Sequence, residues 1–151
     1  MHVMSGTSTG LPKDLYSKVA NYRHKVFVEQ LGWELQTQDG MELDQFDRHD
    51  TVYVVAQDDK GHISGCARLL PTTRPYLLLE VFPQLLNGLL PPNSPEVWEL
   101  SRFAAVDLNN SAPTQACSGI VSGKGTGCFP AAYHLNVCNS PKLMNNIFER
   151  G

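Results

Sequence analysis

Three arginines stand apart in segments that otherwise read as core: Arg23, Arg68 and Arg102. A guanidinium taken out of water needs a carboxylate or a ligand anion, because unpaired burial of a charge is costly. The acid-rich stretch 32–50, with Glu42, Asp44, Asp47 and Asp50, offers partners, Asp44 and Asp47 first among them. Structural ion pairing and an anion site both fit this pattern. Glu99 sits inside the apolar run VWELSRF. A carboxylate buried there has a raised pKa, which suits a general base; a pair with Arg68 or Arg102 is the alternative. Strict alternation puts Glu99 and Ser101 on one face and Arg102 on the other, and a β-bulge would bring them together. Phe27 and Trp33 offer aromatic faces to a cationic group, or are simply core.

The elements that position these residues follow from periodicity. Leu15, Val19, Tyr22 and Val26 step by four, three and four, which predicts an amphipathic helix over 13–31. Pro12 suits its start and Gly32 its end. A long loop, 32–50, follows. TVYVVAQ (51–57) reads as a strand, the turn DDKG follows, and 62–70 reads as the returning strand of a hairpin. Residues 77–90 are apolar and broken by Pro83 and Gly88, which predicts a short helix or irregular packing around 81–86. The run 97–106 predicts a buried strand.

The chain has 151 residues, 42% hydrophobic, which suits one domain with one core. Its net charge of −3 and lack of a basic stripe argue against nucleic acid or an anionic membrane surface as partner. No apolar run approaches the ~20 residues of a membrane span. The small, polar start of the chain lacks the features of a secretory signal, so a cytoplasmic location is expected. Four cysteines without a CxxC pair read as free thiols. Cys128, His134 and Cys138 fit no common zinc spacing, so no metal site is expected. The SGKGT run (122–126) misses the spacing of a phosphate loop.

Five segments together say more than any one. YRHKVFVEQLGW (22–33), ELDQFD (42–47), GCARLLPTTRPYLL (65–78), VFP (81–83) and VWELSRFAA (97–105) occur in an order and spacing that resembles the acyl-homoserine-lactone synthases, the LuxI-type autoinducer synthases of bacterial quorum sensing. The resemblance implies an α/β fold like that of the N-acetyltransferases: a twisted mixed sheet with flanking helices, here incomplete at its C-terminal end. It implies S-adenosylmethionine as a substrate, with no cofactor besides, and an acyl thioester delivered on acyl carrier protein. The amine of S-adenosylmethionine takes the acyl group, its carboxylate closes the lactone, and methylthioadenosine leaves. Residue by residue, it implies that Arg23, Phe27, Trp33, Asp44, Asp47, Arg68 and Arg102 contact substrate, with Phe82 near the pantetheine path. Glu99 is then the base and Ser101 an acyl contact. A coenzyme-A-dependent N-acyltransferase is disfavoured by the absence of the Q/R-x-x-G-x-G/A loop of that superfamily.

The resemblance covers residues 1–108, the N-terminal part of such a domain. Beyond Leu108, Lys124, Lys142, Glu149 and Arg150 are the only charged residues, and Gly, Ser, Asn and Cys become frequent. Residues 109–151 are an atypical tail. A shift of coding frame near 108–111, disorder and plain divergence each account for it. On this reading the ELSR strand is left as an exposed apolar edge, and the alternative function is a truncated, inactive remnant that at most binds S-adenosylmethionine. Acyl length, oxidation at the third carbon and the cognate receptor leave no trace in these residues.

Overall fold

The computed structural model describes residues 1–109 and the backbone of 136–139. Strand β1 (His2–Thr7) leads into helix α1 (Lys13–Arg23), which continues as a π-helical stretch (His24–Gln30). A small hairpin, β2 (Thr37–Gln38) and β3 (Met41–Glu42), precedes the long hairpin β4 (Val52–Gln57) and β5 (Ile63–Pro71). A short helix α2 (Leu77–Glu80) and a 3-10 turn (Pro83–Leu86) then lead to β6 (Val97–Ala104). The main sheet runs β1-β4-β5-β6-β7, with β7 at Asn136–Asn139. Every pairing within it is antiparallel, so these strands contribute no mixed character to the α/β fold.

The expected helix over 13–31 is present in extent, and all four stripe residues are buried. Its second half differs in kind. Leu31 N–H reaches back five residues to Val26 O, 3.0 Å away. Val26 and Phe27 are both buried in this wider turn. Gly32, at φ +69°, then ends the helix in the left-handed region, where an L side chain would be strained. The amides of Gly32 and Trp33 close back onto the carbonyls of Val28 and Phe27.

The 4–5 hairpin, its Asp58–Gly61 turn and the strand at 97 match expectation. One strand was not foreseen, and two other readings are corrected. The start of the chain forms β1, whose backbone pairs with β4 from His2↔Gln57 to Thr7↔Val52 although its residues show no apolar alternation. The stretch 32–50 is not without structure, since Asp39 (φ +52°) and Gly40 (φ +72°) form the turn of the β2–β3 hairpin. The ELSR strand is no open edge either: β7 pairs with it from Val97↔Asn139 to Leu100↔Asn136. The readings of Cys128, His134 and the SGKGT run fall outside the described residues, as does the rest of the tail.

Two apolar clusters form the core. One gathers Leu15, Val19, Tyr22, Val26 and Phe27 of the first helix against Tyr53, Val55 and Cys66. The other joins Phe46, Leu70, Tyr76, Leu77 and Leu78, with Phe82 and Leu86 packed against it. Burial in the first pushes the Cys66 thiol up to about 12, which leaves it an inert, protonated filler.

A closed ring of six charges with one open corner

Arg23 ends α1, Glu42 ends β3, Asp44 and Asp47 sit in the following turn, Arg68 lies on β5 and Arg102 on β6. These six side chains alternate in sign around a closed ring. Arg23 grips Glu42 at 2.6 Å and Asp47 at 2.7 Å. Arg68 bridges Asp47 at 3.1 Å and Asp44 at 2.6 Å. Arg102 joins Asp44 and Glu42, both at 3.0 Å, and closes the circle. The formal charges cancel. Buried pairs of this kind add little net stability, because desolvation offsets attraction, but they fix geometry sharply.

Local irregularities deliver the members. The Asp39–Gly40 turn carries Glu42 under the helix. Asp44 Oδ1 accepts the Phe46 amide, while Asp47 Oδ2 accepts the Asp44 amide, so the acidic turn holds itself. On β6 the register slips: Arg68 faces Ser101 but Cys66 faces Ala104, so Arg102 and Phe103 share the space opposite one residue. Arg102 adopts φ +50° there, a conformation that costs an arginine about 1–2 kcal/mol. This bulge turns Arg102 onto the face of Glu99 and Ser101, which alternation alone forbids.

The ring is unevenly exposed. Asp47 is saturated: it accepts from Arg23, Arg68, the Asp44 amide and the Tyr53 hydroxyl. Burial pushes its carboxyl up, but Arg23, Arg68 and the amide outweigh that and hold it well below the usual range. Every side-chain nitrogen of Arg23 and Arg68 donates within the ring or to Ser101. Arg102 commits Nε and Nη2. Its Nη1 donates to no described residue, and the side chain as a whole is 6% exposed. Asp44, its neighbour, is 21% exposed, against 2% for Asp47 and 1% for Glu42. One corner is therefore open. Beside it, Phe27 and Trp33 stack at 4.9 Å, and the Arg102 guanidinium lies 5.8 and 5.9 Å from their centroids. A guanidinium N–H uncommitted among the described residues, a partly exposed carboxylate and an aromatic pair suit a ligand that carries a carboxylate, an ammonium and a further cation.

Glu99 lies apart from the ring, and Phe82 packs against the cluster that holds Leu77 and Leu78, whose amides Glu99 binds. Glu99 is fully buried, and its two oxygens accept the amides of Leu77 (2.9 Å) and Leu78 (2.8 Å) at the start of α2. The expected alternative, an ion pair with Arg68 or Arg102, is not found among the described residues. Burial raises the Glu99 pKa above its ordinary value, and the Leu78 and Leu77 amides offset part of this rise. Ser101 links Glu99 to the ring. It lies two residues along β6 and accepts from Arg68 Nε at 3.0 Å.

Sequence reasoning brought together Arg23, Arg68, Arg102, Asp44 and Asp47, with Phe27 and Trp33 alongside, as the structure places them. Glu42 is the member it missed as a site residue. The Asp39–Gly40 dipeptide, a strong hairpin signal, would have tied Glu42 into a fixed strand. Tyr53, the ring's one uncharged donor from β4, gave only a strand signal.

A family model described as autoinducer synthase matches residues 10–121. An acyl-homoserine-lactone synthase of Acinetobacter nosocomialis is 59% identical over 122 residues, covering 81% of this chain and 66% of that protein. Among solved structures, TofI in a ternary complex with an inhibitor and MTA is 57% identical with a TM-score of 0.63, covering 70% of this chain and 57% of that one. BjaI, described as a CoA-dependent acyl-homoserine lactone synthase with SAM and isopentyl-CoA, is 36% identical with a TM-score of 0.64, covering 69% and 50%. The chain thus spans between half and two thirds of the length of these relatives.

Proposed function

The chain belongs to the autoinducer synthase family, and from that premise we propose that it is an acyl-homoserine-lactone synthase. The observation that carries this reading is the open corner of the ring. There Arg102 Nη1 takes the carboxylate of S-adenosylmethionine, Asp44 its ammonium, and the Phe27–Trp33 pair its sulfonium. Arg23, Arg68 and Asp47 belong to the same site but act by holding this corner in place.

The reaction follows in two steps. The ammonium loses a proton to Glu99, directly or through a water, and the amine attacks the thioester carbonyl. The C–N bond forms, the C–S bond breaks, and the thiolate of the acyl carrier leaves and takes up the second proton that the nitrogen sheds. The methionine carboxylate then attacks its own γ-carbon, the bond to sulfur breaks, and neutral methylthioadenosine departs. The two backbone amides on Glu99 leave each oxygen a second lone pair for the proton. They also favour the ionised form that a base needs.

Acyl carrier protein is the proposed acyl source. Coenzyme A is a second reading, favoured by the likeness to the CoA-dependent BjaI. A third, a remnant that only binds S-adenosylmethionine, is favoured by the partial span of the relatives. The test incubates the purified chain with S-adenosylmethionine and each thioester in turn. Mass spectrometry then looks for the acyl-homoserine lactone and methylthioadenosine together. Both products with the carrier-protein thioester are expected. Both only with the coenzyme A thioester would reassign the donor. Neither product, beside calorimetric binding of S-adenosylmethionine, would leave the remnant reading.

A further inference from the structure

We propose that Tyr53 is a positioning residue for S-adenosylmethionine, acting through Asp47 to set the open Arg102–Asp44 corner. This inference rests on the function proposed above. Tyr53 comes from the middle of β4, opposite Arg68 on β5, and is 1% exposed. Its hydroxyl donates to Asp47 Oδ1 at 2.7 Å. A buried phenol that meets a carboxylate is a choice with consequences, since phenylalanine would fill the same apolar volume in the first core cluster.

Asp47 is where the ring is fixed, because it receives contacts from four directions. Arg23 approaches from α1, Arg68 from β5, the Asp44 amide from the acidic turn, and Tyr53 from β4. Glu42 from β3 and Arg102 from β6 reach it only through the neighbouring members. Among the described residues, Tyr53 is the one side-chain donor to Asp47 without a charge of its own. It holds Oδ1 without competing for the other carboxylates, so the two arginines on Asp47 keep their second arms for Glu42 and Asp44. Asp44 is fixed by Arg68 on one side and Arg102 on the other. A rotated Asp47 therefore moves Arg68, and Arg68 moves the corner. Tyr16 packs edge-on against Tyr53, with centroids 5.4 Å apart and planes at 76°, and fixes the direction of the phenol. Burial, then the negative charge of Asp47, raises the Tyr53 pKa, so the hydroxyl keeps its proton and stays a donor across the working range.

The experiment compares the full chain with Tyr53→Phe. Calorimetry measures S-adenosylmethionine affinity at pH 7, and carbon-13 NMR follows the Asp47 carboxyl down to the lowest pH at which each chain stays folded. Loss of one hydrogen bond to a carboxylate is expected to raise the Asp47 titration by about one pH unit, a tenfold change in proton affinity. Affinity for S-adenosylmethionine should weaken about five- to tenfold. A purely structural tyrosine would lower thermal stability and leave both readouts where they were, which would overturn the proposal. If the unaltered chain binds no S-adenosylmethionine, the functional reading fails by itself, and an Asp47 titration unchanged in Tyr53→Phe would separately overturn the role of Tyr53. Should Tyr53→Phe not fold, 3-fluorotyrosine at position 53 keeps the shape and strengthens the donor. It should move the Asp47 titration downward, and no movement would refute the coupling.

Discussion

Asp44 and Asp47 give the sharpest test of a ring with one open corner. Both are aspartates of one turn, both touch two arginines, and their change to asparagine removes the same charge from the same network. Composition cannot tell them apart, but the structure separates them. Asp47 is 2% exposed and saturated, so Asp47→Asn leaves Arg23 and Arg68 facing an amide that presents N–H to N–H. Breaking a buried pair by removing one partner is worth about 3–5 kcal/mol. Asp47 also accepts the Asp44 amide and the Tyr53 hydroxyl, so the upper half of that range is expected, against a total stability of about 5–15 kcal/mol. Asp44 is 21% exposed, and water can reach the charges that Asp44→Asn uncovers. Its loss should be about 1–2 kcal/mol.

Binding should show the opposite order. Asp44 meets the ammonium directly, so Asp44→Asn should weaken S-adenosylmethionine by at least tenfold, about 1.4 kcal/mol. The fraction of Asp47→Asn that folds should lose less than that, about the five- to tenfold expected of Tyr53→Phe, because Asp47 reaches the ligand only through Arg68 and Asp44. Urea denaturation gives the stabilities, and calorimetry on the folded fraction gives the affinities. Equal losses in both assays, or greater unfolding from Asp44→Asn, would show that the ring has no privileged corner and that the site was drawn wrongly.

Three further outcomes follow. Glu99→Ala uncovers two buried amides, each worth about 1–3 kcal/mol, whereas Glu99→Gln keeps one acceptor and should destabilise less; both should lose turnover, and a fully active Glu99→Gln would remove Glu99 as the base. Acid should act in two opposed stages, read by fluorescence from pH 7 to pH 2. The raised Glu99 carboxyl binds its proton more tightly folded than unfolded, so protonation in that first window does not unfold the chain. Asp47, held low, contributes stability above its ordinary value of 3.8 that drains away as pH falls below it, so unfolding should begin only there. Gly32→Ala puts a Cβ at φ +69°, with nothing within 4 Å to clash, so the loss should be the strain alone, about 1 kcal/mol by thermal melting.

Much of the fold was legible because it rests on repetition. The stripe from Leu15 to Val26 and the β-branched run before Gln57 announce a helix and a strand whatever surrounds them. The arginines were legible for a different reason: Arg23, Arg68 and Arg102 each break an apolar segment, and a charge in such a place demands a partner. What stayed hidden was the identity of each partner. Glu99 reads as an ion-pair candidate for Arg68, yet its oxygens are taken by backbone amides of α2, and no side-chain pattern encodes an amide. Strand β1 was hidden because its partners lie on β4, some fifty residues away, and its own side chains are mostly exposed.

The features that sequence periodicity misses are those that build the site. A π turn carries the buried Phe27 to the end of the helix, where Trp33 stacks on it. A bulge adds a residue to β6 and swings Arg102 round to Glu42 and Asp44. A two-residue hairpin interrupts the acidic loop and holds Glu42 beneath Arg23. Each is a departure by one or two residues from a regular repeat, and the bulge changes which face a side chain occupies. A regular strand would place Arg102 and Glu42 apart. Regular elements carry the core, and local irregularities aim the charges. The strain they hold, seen most plainly in Arg102 at φ +50°, is sustained only while the ring closes around it.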